Sequence, residues 1–282
     1  LLDDSTEHQY LGRADFQRTS DDSIFGRYMA TKFDKPIPLR EGDSALSLYD
    51  AANNRNILGM DALTHSLVIG DTRVFGSNTV NSLRFSYNRS GVFRLAPATF
   101  DPYDIGSDVY SYQPDAGVFI VSGNGFQVNN PGPSRFTTDA SQVSNDLTLG
   151  RGNHQLALGG SVAYWKFSFQ SHARSGGNWN FTGQQSGLGL ADFMLGRVGR
   201  LEHGGPALLP MNQWYLGLYA QDAWRMSPRV TLNAGLRWEP YFGQSVTSGA
   251  VYNFSRENFQ NTIRSPQFVN APAGSIYPGD AG

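Results

Sequence analysis

Cysteine is absent from all 282 residues of the sequence. Disulfide scaffolds, thiolate zinc sites and cysteine nucleophiles are thereby excluded. Charge is sparse: 16% of residues are Asp, Glu, Lys or Arg, where an average soluble domain carries about 25%. The 22 basic and 24 acidic side chains nearly cancel, leaving a net charge of −2. A nucleic-acid binder needs a basic stripe, so no nucleic-acid partner is expected. No run of about 18 apolar residues occurs, which excludes a transmembrane helix. No basic n-region with an apolar h-region follows Leu1, so a secretory signal is expected to be cleaved or to lie outside this segment. Glutamate is confined to Glu7, Glu41, Glu202, Glu239 and Glu257, a thin supply for an enzyme that needs paired carboxylates in one cleft.

Aromatic residues, by contrast, make up 13% of the chain, beside 32 Gly and 14 Pro. That aromatic content excludes a disordered chain. Its arrangement follows a period of two, which predicts strands almost throughout and one short helix. Over 229–239, Val230, Leu232, Ala234, Leu236 and Trp238 share one face, with Thr231, Asn233, Gly235, Arg237 and Glu239 on the other. Side chains alternate across a strand, so one face is apolar and one polar. The preceding segment, 211–226, alternates likewise, with Trp214, Leu216, Leu218, Ala220 and Trp224 on one side; Asp222 breaks its apolar face. Only Ser227 and Pro228 separate the two segments, which predicts a hairpin.

Three earlier hairpins follow the same plan: 8–17 with 23–33, 61–74 with 79–90, and 136–149 with 154–170. In the last of these the phase slips after Tyr164, where Trp165, Phe167 and Phe169 take over from Leu156, Leu158 and Val162. A bulge or a departure from the sheet is expected there. Long connections at 34–60, 93–135, 171–210 and 243–282 alternate strictly with turns of two to five residues. Unstructured loops beyond about 12–15 residues are uncommon in soluble domains. A transmembrane barrel accounts for the alternation, with short periplasmic turns and long extracellular loops. In lipid every backbone polar group must be paired, so closed barrels are the β solution. The expected fold is therefore all-β: a transmembrane antiparallel β-barrel segment of about eight long strands in four hairpins. Outer-membrane lipid would cover the apolar face, and Trp214, Trp224, Trp238, Tyr28 and Tyr87 are candidates for aromatic girdles.

Specific wording adds a family. The segments Gly217-Leu-Tyr-Ala-Gln-Asp-Ala-Trp-Arg225 and Ser227-Pro-Arg-Val-Thr-Leu-Asn-Ala-Gly-Leu-Arg-Trp-Glu-Pro240 resemble a barrel hairpin of TonB-dependent outer-membrane receptors. The likeness is to the large members with an N-terminal carboxypeptidase-regulatory-like domain. Phe25-Gly-Arg-Tyr28, Val80-Asn-Ser-Leu-Arg-Phe-Ser-Tyr-Asn-Arg89, Gly152-Asn-His-Gln-Leu-Ala-Leu-Gly-Gly160, Ala191-Asp-Phe-Met-Leu-Gly196 and Tyr277-Pro-Gly-Asp280 are similar to the same group. The resemblance implies a 22-stranded barrel closed by a plug, an inner-membrane energy-coupling protein, TonB, that pulls on the plug, and uptake of a nutrient such as a siderophore or glycan. Residues 1–282 are then expected to be an internal part of a single outer-membrane barrel domain, without the plug and the C-terminal strands.

Chemistry for catalysis is not in evidence. His8, His65, His154, His172 and His203 include no pair at the i, i+4 spacing of a zinc protease, and satisfied or interfacial histidines are expected of the first three. Gly187-Leu-Gly-Leu-Ala-Asp192 lacks the third glycine and the preceding strand of a dinucleotide fingerprint. Asp101, Asp104, Asp108 and Asp115 are interleaved with Tyr103, Tyr110 and Tyr112, but not at calcium-loop spacing; a solvated external loop is expected. Arg84, Arg237 and Glu239 on the polar face are expected to pair across strands. No catalytic, metal, cofactor or substrate-binding residue is assigned, and the chain is not expected to be an enzyme. Two other readings compete: a stand-alone outer-membrane barrel acting as an adhesin or structural protein, and a secreted carbohydrate-active β enzyme.

Overall fold

The computed structural model describes residues 4–37, 46, 49–50, 55–56, 58–100, 102–123, 125–248, 253–268, 270–277 and 279–280. Eight long strands form one antiparallel sheet in chain order. They are β1 (Thr6–Thr19), β2 (Asp22–Lys35), β3 (Gly59–Phe75), β4 (Thr79–Leu95), β5 (Ser134–Arg151), β6 (His154–Ser171), β7 (Ala207–Ser227) and β8 (Val230–Trp238). All eight expected strands are there, and every one but β8 reaches or passes its expected ends. The turns at one end are short, and Gly76 and Gly152 take left-handed φ values of 62° and 60° in two of them, where a Cβ would be strained. Among the described residues β1 pairs only with β2, so the sheet is open at that edge. The other edge is β8, which pairs only with β7.

The register sorts side chains onto two faces. Tyr28, Leu67, Tyr87, Ser141, Tyr164 and Trp214 are partners in one row across six strands. All five aromatics expected in girdles lie on this face, with Trp224 opposite Leu232 and Trp238 opposite Leu218. Toward the loop ends the row gives way to ion pairs, Lys32 with Asp61 and Arg89 with Asp139 at 3.3 Å. Ile69, Leu83, Val143, Leu158, Leu218 and Leu236 are on the same face, and all are exposed. Burying such a side chain is worth about 1.5–3 kcal/mol. Six half-exposed examples forfeit roughly 5–9 kcal/mol, comparable with an entire folding margin of about 5–15 kcal/mol. An apolar medium has to cover this face.

Two departures from the alternation have separate causes. Asp222 does sit on the apolar face, but near a turn, where His154 Nδ1 lies 2.6 Å from its Oδ2 and the His154 ring stacks on Trp224. His65 is satisfied likewise, by the Tyr28 hydroxyl at 2.6 Å, whereas the exposed side chain of His8 makes no hydrogen bond among the described residues. The phase slip after Tyr164 is not a bulge. β6 pairs without interruption from His154 to Ser171 with both neighbours. The faces exchange chemistry instead: past Tyr164 the apolar face carries Lys166, Ser168 and Gln170, and the polar face carries Trp165, Phe167 and Phe169. Phe169 packs on Phe136 at 5.0 Å and Trp165 stacks on Phe167. A strand that continues beyond a bilayer faces water outside, so its apolar residues turn inward.

Helix is confined to the connections: α1 (Gly189–Met194) and α2 (Arg256–Gln260). That is two short helices among the described residues, against one expected. Ser255 caps α2 by accepting from Asn258 N at 3.2 Å. Nearby, Asn253–Phe254 pairs with Ser275–Ile276.

Candidate functional site

The buried apolar core of the chain lies in the loops and not in the sheet. Gly117–Val121, Gln127–Asn130, Asn178–Phe181 and Arg200–Glu202 form a second sheet from the connections after β4 and after β6. Asn178–Phe181 runs parallel to Gly117–Val121, and the other pairs are antiparallel. Alternation again decides the facing. Trp179 is opposite Phe119, Phe181 opposite Val121, and Phe119 opposite Val128. These five side chains make one buried cluster, with Phe119 at 3% exposure and Trp179 at 7%. The two connections fold together at this sheet, while Asp104, Asp108 and Asp115 and the interleaved Tyr103, Tyr110 and Tyr112 lie exposed beside it.

Polar groups clamp the loops to each other. Asn130 is fully buried; its amide donates to Pro97 O at 2.8 Å, Thr99 Oγ1 at 2.9 Å and Asp115 O at 3.0 Å, and its Oδ1 accepts from Gly132 N. Tyr112 N donates to Ser175 O, and Val118 N to Gly177 O. The approach is close enough that a Cβ on Gly176 would meet the Ala116 carbonyl carbon at 2.5 Å. Asp192, buried in α1, accepts from Ser186 Oγ at 2.6 Å, Ser186 N at 2.9 Å and Gln185 N at 3.3 Å. The Ser186 hydroxyl and these amides hold its carboxyl below the usual carboxylate range. Phe193, its neighbour, packs edge-on against Phe126 and Phe181.

Between these rings lies a cleft of about 470 Å³. Phe119, Trp179 and Phe181 line it from the buried cluster, and Phe100, Phe126 and Phe193 from around it. Pro102, Ile105, Gly106, Ser107, Val128, Gly196 and Val198 complete the lining. No lining side chain is charged. The acidic residues weighed as a cation site do not converge: Asp101 lies outside the described residues, and no group of three or more His, Asp or Glu among the described residues could hold a metal. Tyr110 and Tyr112 pack on each other, and Tyr112 on His203.

The polar face of the main sheet holds a separate network. Tyr219 donates to Asp146 at 2.6 Å, and its ring lies where a Cβ on Gly159 would fall, 2.6 Å from Cζ. Arg237 donates to Glu239 at 2.6 Å, two residues along its own segment and not across strands as expected; across the strand pair it donates to the Tyr215 hydroxyl at 2.8 Å. The Arg84 side chain has no hydrogen bond or ion pair among the described residues.

A family model described as outer membrane beta barrel domain matches residues 2–282. The chain belongs to the outer membrane beta barrel domain family. The barrel therefore lies in the outer membrane, its apolar face toward lipid and its polar face toward the lumen. A search of curated proteins finds no match. Among solved structures the barrel is similar to the ferripyoverdine receptor FpvA of Pseudomonas aeruginosa. One FpvA structure, bound to ferripyoverdine, aligns with a TM-score of 0.52 at 14% identity, and covers 83% of this chain and 30% of that one. A second, bound to a heterologous pyoverdine, has a TM-score of 0.50 at the same identity and coverage. At that identity the likeness is one of fold. The chain spans about a third of the length of these receptors. The resemblance to TonB-dependent receptor barrels, drawn from the hairpin at 217–240, agrees with this fold.

Proposed function

We propose that the chain is a barrel segment of a TonB-dependent receptor that takes up a nutrient across the outer membrane. In this reading a plug elsewhere in the parent protein receives the pull of the energy-coupling protein, and the segment contributes wall and outer loops, with no catalytic step. The observation that carries it is the folded loop module. A purely structural barrel needs only a lipid-facing surface; two long connections that build their own core around an open cleft supply a place where a solute is met. The fold it shares with a ferripyoverdine receptor supports the reading.

The test compares cells carrying the full-length parent protein with and without a working energy-coupling protein. Solute depletion from a complex medium is followed by mass spectrometry. At least one solute should be depleted only when the coupling protein is intact. Identical depletion profiles, together with adhesion lost on deletion of the parent, would replace uptake by the adhesin reading.

A further inference from the structure

The geometry points to the loop cleft as a binding site for a neutral, planar ring system, not for an anionic chelate or a sugar. This inference rests on the receptor reading and names the class of ligand for it.

The lining supports a ring. Six aromatic side chains surround the space, and Phe119 and Trp179 are stacked within 10° of parallel at 6.2 Å. Phe126 and Phe181 each meet Phe193 edge-on at 87°. Aromatic rings attract other rings in offset-stacked or edge-to-face arrangements, and both are already used here. The volume, about 470 Å³, falls among small-molecule sites, which run to about 300–1,000 Å³.

The electrostatics select neutrality. With no charged side chain in the lining, an ion entering would lose hydration without compensation. A sugar fits poorly for another reason: it carries a hydroxyl on nearly every carbon, and the lining offers one side-chain hydroxyl. That hydroxyl, on Ser107, makes no hydrogen bond among the described residues and is available to a single polar group on the ring.

The test uses the full-length receptor in detergent micelles and equilibrium dialysis with indole, indole-3-acetate and glucose as probes. Protein with Val198→Trp, which fills the cleft, in the same micelles gives the background from partition. Indole should bind the wild type at least tenfold more tightly than this variant, and the acetate and glucose should show no difference between the two proteins. Ser107→Val, which leaves the aromatic lining in place, should weaken indole severalfold and leave naphthalene unchanged. Equal indole binding in wild type and Val198→Trp, or a preference for indole-3-acetate or glucose, overturns the assignment. Dialysis needs no energy coupling, so the two ideas fail separately. Ring binding without coupled uptake sinks only the transport reading; coupled uptake without ring binding sinks only the cleft.

Discussion

Leu236 in β8 is 76% exposed, and Phe119 in the loop sheet is 3% exposed, yet both sit on the apolar face of an alternating strand. The difference lies in what covers the face. In the wall, strands of up to 21 residues present one continuous apolar surface with no protein over it, and lipid has to supply the second layer. In the loop module, strands of three to five residues bury their apolar face against segments of the same two loops. One segment type therefore obeys the physics of a membrane protein and the other that of a small soluble domain. Their stabilities should respond to different perturbations.

The largest effect is expected in the module. Phe119→Ala removes a buried ring and should cost about 3–5 kcal/mol, enough to unfold so small a unit. On intact cells, protease should then cut within 96–133 and 172–206, while the wall keeps its unfolding midpoint. A matching loss in the wall would show that the two regions are one cooperative unit.

The converse substitution is Leu236→Arg. Near the bilayer midplane it should cost about 2–4 kcal/mol, less toward an interface, read from urea unfolding of the full-length receptor in liposomes. The module should stay resistant to protease. Facing can be sharpened by single cysteines, since the chain has none of its own. Those at Asn233 and Arg237 should react with a small water-soluble thiol reagent, and those at Leu232 and Leu236 should not. Equal reactivity would remove the two-faced wall.

How much of this was legible in the sequence follows from the range of each contact. A wall strand pairs with the strand next to it through a turn of a few residues, so the local alternation at 229–239 and the Ser227-Pro228 turn suffice to place it. The loop sheet pairs Gly117–Val121 in parallel with Asn178–Phe181, some sixty residues away, and no local pattern encodes such a partner. A signal existed in the alternation of Asn178-Trp-Asn-Phe181 and in the apolar run at 118–121, but each is too short to decide a strand alone. The Asp222–His154 contact was hidden for the same reason. The phase slip after Tyr164 was visible but misassigned, because a change of surroundings along an unbroken strand mimics a bulge.

A smaller effect is expected at Asn130. Its side chain joins Pro97, Thr99 and Asp115, and Asn130→Ala would take this donor from the Pro97 carbonyl and the acceptor from the Gly132 N–H, while Asp115 O keeps Thr99 N and Oγ1. Such a loss costs about 1–3 kcal/mol. Hydrogen exchange should speed up at 112–132 and remain unchanged in β4 and β5. Unaltered exchange in the module would show that water replaces the amide there.

The smallest effect separates the two regions by pH. The Asp192 carboxyl is held below its ordinary range by the Ser186 hydroxyl and the amides of Ser186 and Gln185. A carboxylate depressed on folding contributes stability that is present above its unfolded pKa of about 3.9 and is lost as pH falls through the lower folded value. The module should therefore loosen below about pH 4, seen as faster exchange at 183–196, with neutral pH leaving it closed. Asp192→Asn keeps the shape, but its amide offers one acceptor oxygen where the carboxylate offers two, and it carries no charge. It should show the loosened exchange already at neutral pH and lose the acid dependence. An acid transition that persists in Asp192→Asn would place the titrating group elsewhere and break the link between this carboxylate and the fold of the loop.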